Sequence, residues 1–122
     1  MQKIVITGGL GYIGMELSKI YSGKSRTNEI INLDKEFYSS RVSQLSRWGI
    51  KYEQCDILDI ENLKKHIVDA DIIFHLAGIT NVPTTLEQEK LSKNSMIRKT
   101  GVVGTRNIIN YSKDNVKKIF QR

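Results

Sequence analysis

Cysteine, proline and tryptophan occur once each in this 122-residue chain, and histidine twice. The lone thiol, Cys55, cannot form an internal disulfide and makes no metal site by itself, so a disulfide scaffold is excluded; a small buried residue at a strand end is expected there. No apolar run approaches the roughly 20 residues needed to cross a bilayer, and no basic stretch followed by an apolar segment opens the chain. A chain located in the cytoplasm, with no membrane partner, is the expectation. Acidic residues are in deficit: 13 Asp and Glu against 19 Lys and Arg give a net charge of +6. Such an excess raises the question of nucleic acid, since a basic face attracts phosphate. The basic residues are scattered from Lys19 to Lys118 without the aromatic interleaving of single-strand binders, so a solvated surface is expected instead. With 39% hydrophobic and 26% charged residues, residues 1–122 make one globular domain at most, which buries about two-thirds of its unfolded surface.

What is present begins with an apolar run that ends in glycine. Lys3-Ile4-Val5-Ile6-Thr7 leads into Gly8, Gly11 and Gly14, and Ile13, Leu17, Ile20 and Tyr21 recur at helical spacing. A strand, a tight turn and a helix in that order make a phosphate cradle for a dinucleotide. Gly8 suits backbone angles that a Cβ would forbid, and a side chain at Gly11 would bar a pyrophosphate from the backbone. Gly14, one turn into the helix, lets the helix sit close against the strand, so that its unpaired N–H groups and positive dipole end point at phosphate. The next apolar run, Ile30-Ile31-Asn32-Leu33, ends in Asp34, about twenty residues past Gly14, where such folds place a carboxylate for the ribose hydroxyls. This favours NAD over NADP: a 2′-phosphate beside Asp34 meets repulsion of roughly 1–4 kcal/mol, softened by the neighbouring Lys35. The alternative is that Asp34 merely ends a strand.

Strand and helix patterns alternate along the whole chain. Strands are expected at 3–7, 29–33, 51–54, 72–76 and 116–120, and helices at 12–22, within 37–49, after an Asp59 cap, and over 92–113. Gly23 and Gly49 are placed to stop the first two helices, and Ile60, Leu63, Ile67 and Val68 form the apolar face of the third. The polar loop 78–89, with Pro83, falls at the carboxyl end of the fourth strand, the ligand edge of an open sheet. Gly101 and Gly104 permit close approach of a neighbouring element. The alternation predicts an α/β fold, a Rossmann-type doubly wound parallel sheet that stops after about strand five. Asp56, at the end of the third strand, lies on the ligand edge or caps a helix. His75, inside an apolar strand, is expected to be a hydrogen-bonded core residue, and His66 to be exposed.

In this order, Thr7-Gly8-Gly9-Leu10-Gly11-Tyr12-Ile13-Gly14, Asp34, Asp56-Ile57, His75-Leu76-Ala77-Gly78 and Gly101-Val102-Val103-Gly104-Thr105-Arg106-Asn107 make the chain resemble a known family over nearly its whole length. It is similar to the amino-terminal half of the extended short-chain dehydrogenase/reductase superfamily, particularly the NAD-dependent nucleotide-sugar epimerases and dehydratases. The resemblance implies that Tyr12 and Ile13 offer backbone N–H groups to the pyrophosphate and that Asp34 holds the adenosine ribose. It also implies that Asp56 and Ile57 bracket the adenine, Asp56 accepting from its amino group, while Leu76, Ala77 and Gly78 line the path to the nicotinamide ribose. With Gly8, Gly11, Gly14 and Lys35, these are the candidate cofactor-binding residues.

The chain departs from the family pattern twice. Gly101 stands where relatives usually carry an asparagine that helps order the active site. The Tyr-x-x-x-Lys pair is absent: the residues four beyond Tyr12, Tyr21, Tyr38, Tyr52 and Tyr111 are Glu16, Ser25, Val42, Asp56 and Asn115. In the family that tyrosine removes the substrate hydroxyl proton while hydride passes to NAD. The expectation is therefore an NAD-binding Rossmann domain that is incomplete, lacks a substrate domain and catalytic residues, and meets a nucleotide-sugar only if the missing region completes it. The alternative is a stand-alone dinucleotide-binding or assembly module without catalysis. An open sheet edge and a long helix short of partners predict a homodimer or larger species.

Overall fold

The computed structural model describes residues 1–24, 27–77, 99–114 and 116–120. Five strands, β1 (Gln2–Thr7), β2 (Asn28–Asp34), β3 (Lys51–Gln54), β4 (Ile72–His75) and β5 (Lys117–Phe120), form one parallel sheet in the order β3-β2-β1-β4-β5. β1 is the middle strand and pairs on both sides, Ile4 standing opposite Ile30 and Ile72. This is the doubly wound order in which the chain reverses direction at the β1/β4 boundary, the point where such sheets open a crevice.

A parallel strand is covered on both faces, so its residues are apolar without alternation in kind while their side chains alternate in direction. Ile4, Ile6 and Ile30 pack with Leu45 and Ile50 on one face, beneath α1 (Tyr12–Tyr21) and α2 (Ser39–Arg47). Val5, Ile31, Leu33 and Ile73 pack on the other, with Leu63 and Ile67 of α3 (Ile60–Ile67) and Ile108 of α4 (Thr105–Tyr111). Helix ends follow local chemistry. Gly49 stops α2 at φ +74°, which a Cβ would strain, and Asp59 Oδ1 accepts the Asn62 N–H at the start of α3. At the amino-terminal edge of the sheet, Lys3 pairs with Asp69 at 2.6 Å and Lys113 with Asp71, and these lysines hold both carboxyls below their usual range.

Several expectations need correction. Gly23 does not stop α1: the helix passes through Ser22 in right-handed geometry into a 3₁₀ turn, Ser22–Lys24, and the Ser22 hydroxyl donates to Lys19 O at 2.6 Å. Ile13 and Ile20 are 40% and 64% exposed, because α1 turns Gly14 and Ser18 inward rather than a stripe of large residues. Val68 is exposed past the end of α3, whereas His66 is half-buried, and burial lowers its pKa. β4 ends at His75, one residue early. Of the helix expected over 92–113, Lys99–Gly104 is a π-helical turn that runs into α4, and 92–98 lie outside the described residues, as does the loop 78–89.

Candidate functional site at the carboxyl edge of the sheet

The glycine turn leaves β1 at the centre of the carboxyl edge. Gly8 has φ +65°, and a Cβ there would lie 2.7 Å from Ala77 N and Leu76 C, so the turn passes directly against the chain leaving β4. Gly11 is the N-cap of α1 and brings no side-chain cap, so among the described residues no capping side chain meets the first-turn N–H groups of α1. Among the described residues, a Cβ on Gly11 would meet only Gly8 O, at 3.4 Å. A Cβ on Gly14 would lie 2.6 Å from the C, Cα and O atoms of Gly9, so the glycine lets α1 lie directly against the turn that leaves β1.

Asp34 sits beside the turn. Its Oδ2 accepts the Leu10 N–H and its Oδ1 accepts the Glu36 N–H, both at 2.9 Å. A carboxylate has about four acceptor positions, so two bonds leave capacity on each oxygen. The Leu10 carbonyl accepts from Arg41 Nη1 at 2.6 Å, and the Arg41 guanidinium lies 4.9 Å over the Tyr38 ring. The Leu10 peptide is thus held by an anion on one side and a cation on the other. Lys35 is exposed and its carbonyl accepts from Gln54 Nε2 at 2.9 Å.

Further along the edge, Asp56 Oδ1 accepts the Leu58 N–H at 2.9 Å in a local turn, while Asp59 is the cap of α3. Ile57 is buried in the core: Gly104 has no room for a Cβ because the Ile57 side chain fills that space, and Asn107 Nδ2 donates to Ile57 O at 2.9 Å. The Ile57 side chain therefore belongs to the core. The neighbouring Cys55 is buried as expected, and burial pushes its thiol up to about 11, which keeps it protonated and unreactive.

Leu76 and Ala77 are half-buried, and the hydroxyl of Thr7 organises them. Thr7 Oγ1 accepts the N–H groups of Leu76 and Ala77, each at 3.2 Å. With its lone pairs so used, its proton goes to His75 Nδ1, 2.7 Å away, and the other ring nitrogen, Nε2, carries the imidazole proton toward Thr105 Oγ1 at 3.2 Å. His75 is 4% exposed, and burial lowers its pKa to about 4, so the ring is neutral and structural, as its strand position suggests. Gly78 lies outside the described residues.

Three participants escape motif reasoning. Gly9 lies outside the spaced triplet, yet a Cβ on it would overlap the Asn32 amide group. Asn32, 0% exposed in β2, donates through Nδ2 to Gly9 O at 2.8 Å and to Ser18 Oγ at 3.0 Å, and Ser18 donates to Gly14 O at 2.8 Å. Asn32 Oδ1 has no partner among the described residues, a burial that costs about 1–3 kcal/mol. The available signal was a polar residue inside the apolar run Ile30–Leu33. Among the described residues, no group of three or more His, Cys, Asp or Glu could hold a metal, and no helix is long and apolar enough to cross a membrane.

A parallel sheet with a glycine turn at its crevice, an uncapped helix behind the turn and a carboxylate at the end of the adjacent strand defines a Rossmann-type unit. The chain belongs to the 3-beta hydroxysteroid dehydrogenase/isomerase family, whose pattern matches residues 5–120. It is 35% identical over 104 residues to a dTDP-D-glucose 4,6-dehydratase of Dictyostelium discoideum, covering 80% of this chain and 24% of that protein. It is 29% identical over 121 residues to a UDP-N-acetyl-alpha-D-glucosaminuronate decarboxylase of Bacillus cytotoxicus, covering 98% and 35%. The ADP-L-glycero-D-manno-heptose-6-epimerase of Helicobacter pylori shares the fold with a TM-score of 0.74 at 23% identity, over 98% of this chain and 38% of that one. These relatives bear out the resemblance to the amino-terminal part of the epimerases and dehydratases. The chain spans about a quarter to a third of the length of the two curated relatives.

Proposed function

We propose that this chain binds NAD and forms the adenosine and pyrophosphate half of a nucleotide-sugar epimerase or dehydratase site. The observation that carries the reading is the glycine turn: among the described residues a Cβ on Gly11 would meet only Gly8 O and α1 has no side-chain cap, and Asp34 is tied by Leu10 N–H to the same turn. These residues fit a dinucleotide, with the pyrophosphate at the N–H groups of Tyr12 and Ile13 and the ribose at the remaining acceptor positions of Asp34. In this reading Asp56 accepts from the adenine amino group and the Ile57 backbone lies beside it, while Leu76, Ala77 and Gly78 lead toward the nicotinamide. Bound NAD supplies a hydride acceptor. The turn, α1 and Asp34 bind and orient it, and the pair Thr7 and His75 holds the Leu76-Ala77 segment in place.

These 122 residues contain no Tyr-x-x-x-Lys pair, so in this reading they bind and orient while the proton transfer to a sugar hydroxyl belongs to residues outside them. The cytoplasm is the proposed location. Calorimetric titration of NAD and NADP into the original chain and into Asp34→Ala tests the cofactor. NAD binds the original chain at least about tenfold tighter, a difference of about 1.4 kcal/mol. Asp34→Ala frees Leu10 N–H and Glu36 N–H and weakens NAD, which loses the acceptor for its ribose hydroxyls, while NADP is relieved of the like charge beside its 2′-phosphate, so their ratio narrows. NADP binding the original chain as tightly as NAD refutes the assignment.

A further inference from the structure

Asn32 is the residue for which the dinucleotide reading has no use, and its surroundings are those of an aliphatic side chain. It lies between Ile31 and Leu33 in a strand that is buried on both faces, and its Oδ1 meets no donor among the described residues. A leucine has nearly the same shape and would remove the unsatisfied Oδ1, but it would also take the donor from Gly9 O and Ser18 Oγ, so the two effects on stability oppose each other. The two donor bonds are what favour the amide. Gly9 O can only accept, so Nδ2 must face it, and the orientation of the amide follows from the chemistry of its partner. The same nitrogen reaches Ser18 Oγ, whose proton goes to Gly14 O. A buried relay thus joins β2 to the glycine turn at Gly9 and to the first turn of α1 at Gly14.

We propose that Asn32 and Ser18 are positioning residues of the phosphate-binding turn: their relay holds the Gly9 carbonyl inward, so that the stretch from Gly11 to Gly14 presents N–H groups, and no carbonyl, to the anion. This rests on the dinucleotide reading of the site. A carbonyl oxygen swung toward a pyrophosphate would repel it, and the turn has glycine freedom at Gly8, Gly9 and Gly11 to make that swing. The absence of a Cβ on Gly9 belongs to the same arrangement, since the Asn32 amide occupies the space. Asn32 therefore acts on the ligand through the backbone it holds.

The test uses the whole chain, labelled with ¹⁵N, in three forms: original, Asn32→Leu and Ser18→Ala. Thermal melting, amide hydrogen exchange and NAD titration are read on each. Asn32→Leu melts close to the original chain, because the loss of the unsatisfied Oδ1 offsets the loss of the donor to Gly9 O. Its amides from Gly9 to Gly14 exchange about tenfold faster or more, those of β1 and β4 do not change, and NAD affinity falls about tenfold. Ser18→Ala shifts exchange and affinity the same way by a smaller factor. A lower melting temperature with unchanged turn exchange, or NAD affinity within twofold of the original in folded Asn32→Leu, overturns the positioning role alone. If Asn32→Leu does not fold, Ser18→Ala decides: affinity within twofold overturns the role. Failure of NAD to shift the turn amides of the original chain overturns the dinucleotide reading, and the positioning role with it.

Discussion

His75 gives the structure its clearest pH signature. It is buried between Thr7 and Thr105, accepts the Thr7 hydroxyl hydrogen bond on Nδ1, and has a pKa lowered to about 4 from the ordinary 6.5 by loss of hydration. Above pH 7 the imidazole is neutral in both folded and unfolded chains and contributes no pH dependence. As pH falls from 6.5 toward 4 the unfolded chain takes up a proton that the folded chain refuses, so stability falls with pH throughout that window and levels off below it. The gap between 6.5 and about 4 corresponds to about 3 kcal/mol, a large share of the roughly 5–15 kcal/mol that holds a domain folded. Urea denaturation at half-unit steps from pH 7.5 to 4, on the original chain and on His75→Gln, measures it. The variant keeps a polar side chain for Thr7 but cannot charge. Carboxylates such as Asp69 and Asp71 titrate in both chains and cancel in the difference. The original chain should lose about 3 kcal/mol more than the variant between pH 7 and pH 4. Parallel profiles would refute the argument that His75 is held neutral.

The glycines of the turn separate stability from binding. Gly14→Ala drives a Cβ to 2.6 Å from three Gly9 atoms, so a loss of about 1–3 kcal/mol is expected in thermal denaturation despite the better helix propensity of alanine. Gly11→Ala meets nothing closer than 3.4 Å among the described residues, so its melting temperature should match the original while NAD binding is lost; retained NAD binding would show that the pyrophosphate lies elsewhere. Self-association is a further expectation, supported by Val102 and Ile109, which are exposed on the helical run through α4. Sedimentation at tens of micromolar, a concentration set by ordinary association strengths, should show a homodimer or larger species, and a stable monomer would count against it.

The fold was legible because parallel strands write themselves as unbroken apolar runs. Ile4–Ile6, Ile30–Leu33 and Ile72–Phe74 each proved to be strands, and β3 has the bounds expected of it. Helix surfaces were less legible. Periodicity put Ile13, Ile20 and Val68 on buried faces, but a helix packed over a glycine turn needs small residues inward, and Gly14 and Ser18 serve that need without an apolar signal. The site divides the same way. Gly8, Gly11 and Asp34 announce themselves by spacing. The hydrogen bonds of Thr7, Asn32, Arg41 and Asn107 depend on residues 23 to 70 positions away, and spacing along one chain carries no trace of them.

The close passage of Gly8 against Ala77 has a consequence for what counts as the smallest unit of this site. β1 meets β2 across a separation of 26 residues, but Thr7 meets His75 across 68. One wall of the glycine turn is therefore supplied within the first strand–helix–strand unit, through Asn32 and Asp34, and the other arrives only with β4. A peptide covering the first unit would carry every letter of the glycine fingerprint and still lack half the scaffold that shapes it. The shortest stretch that holds the complete turn runs from β1 through Ala77, more than twice the length of the fingerprint with its acidic partner.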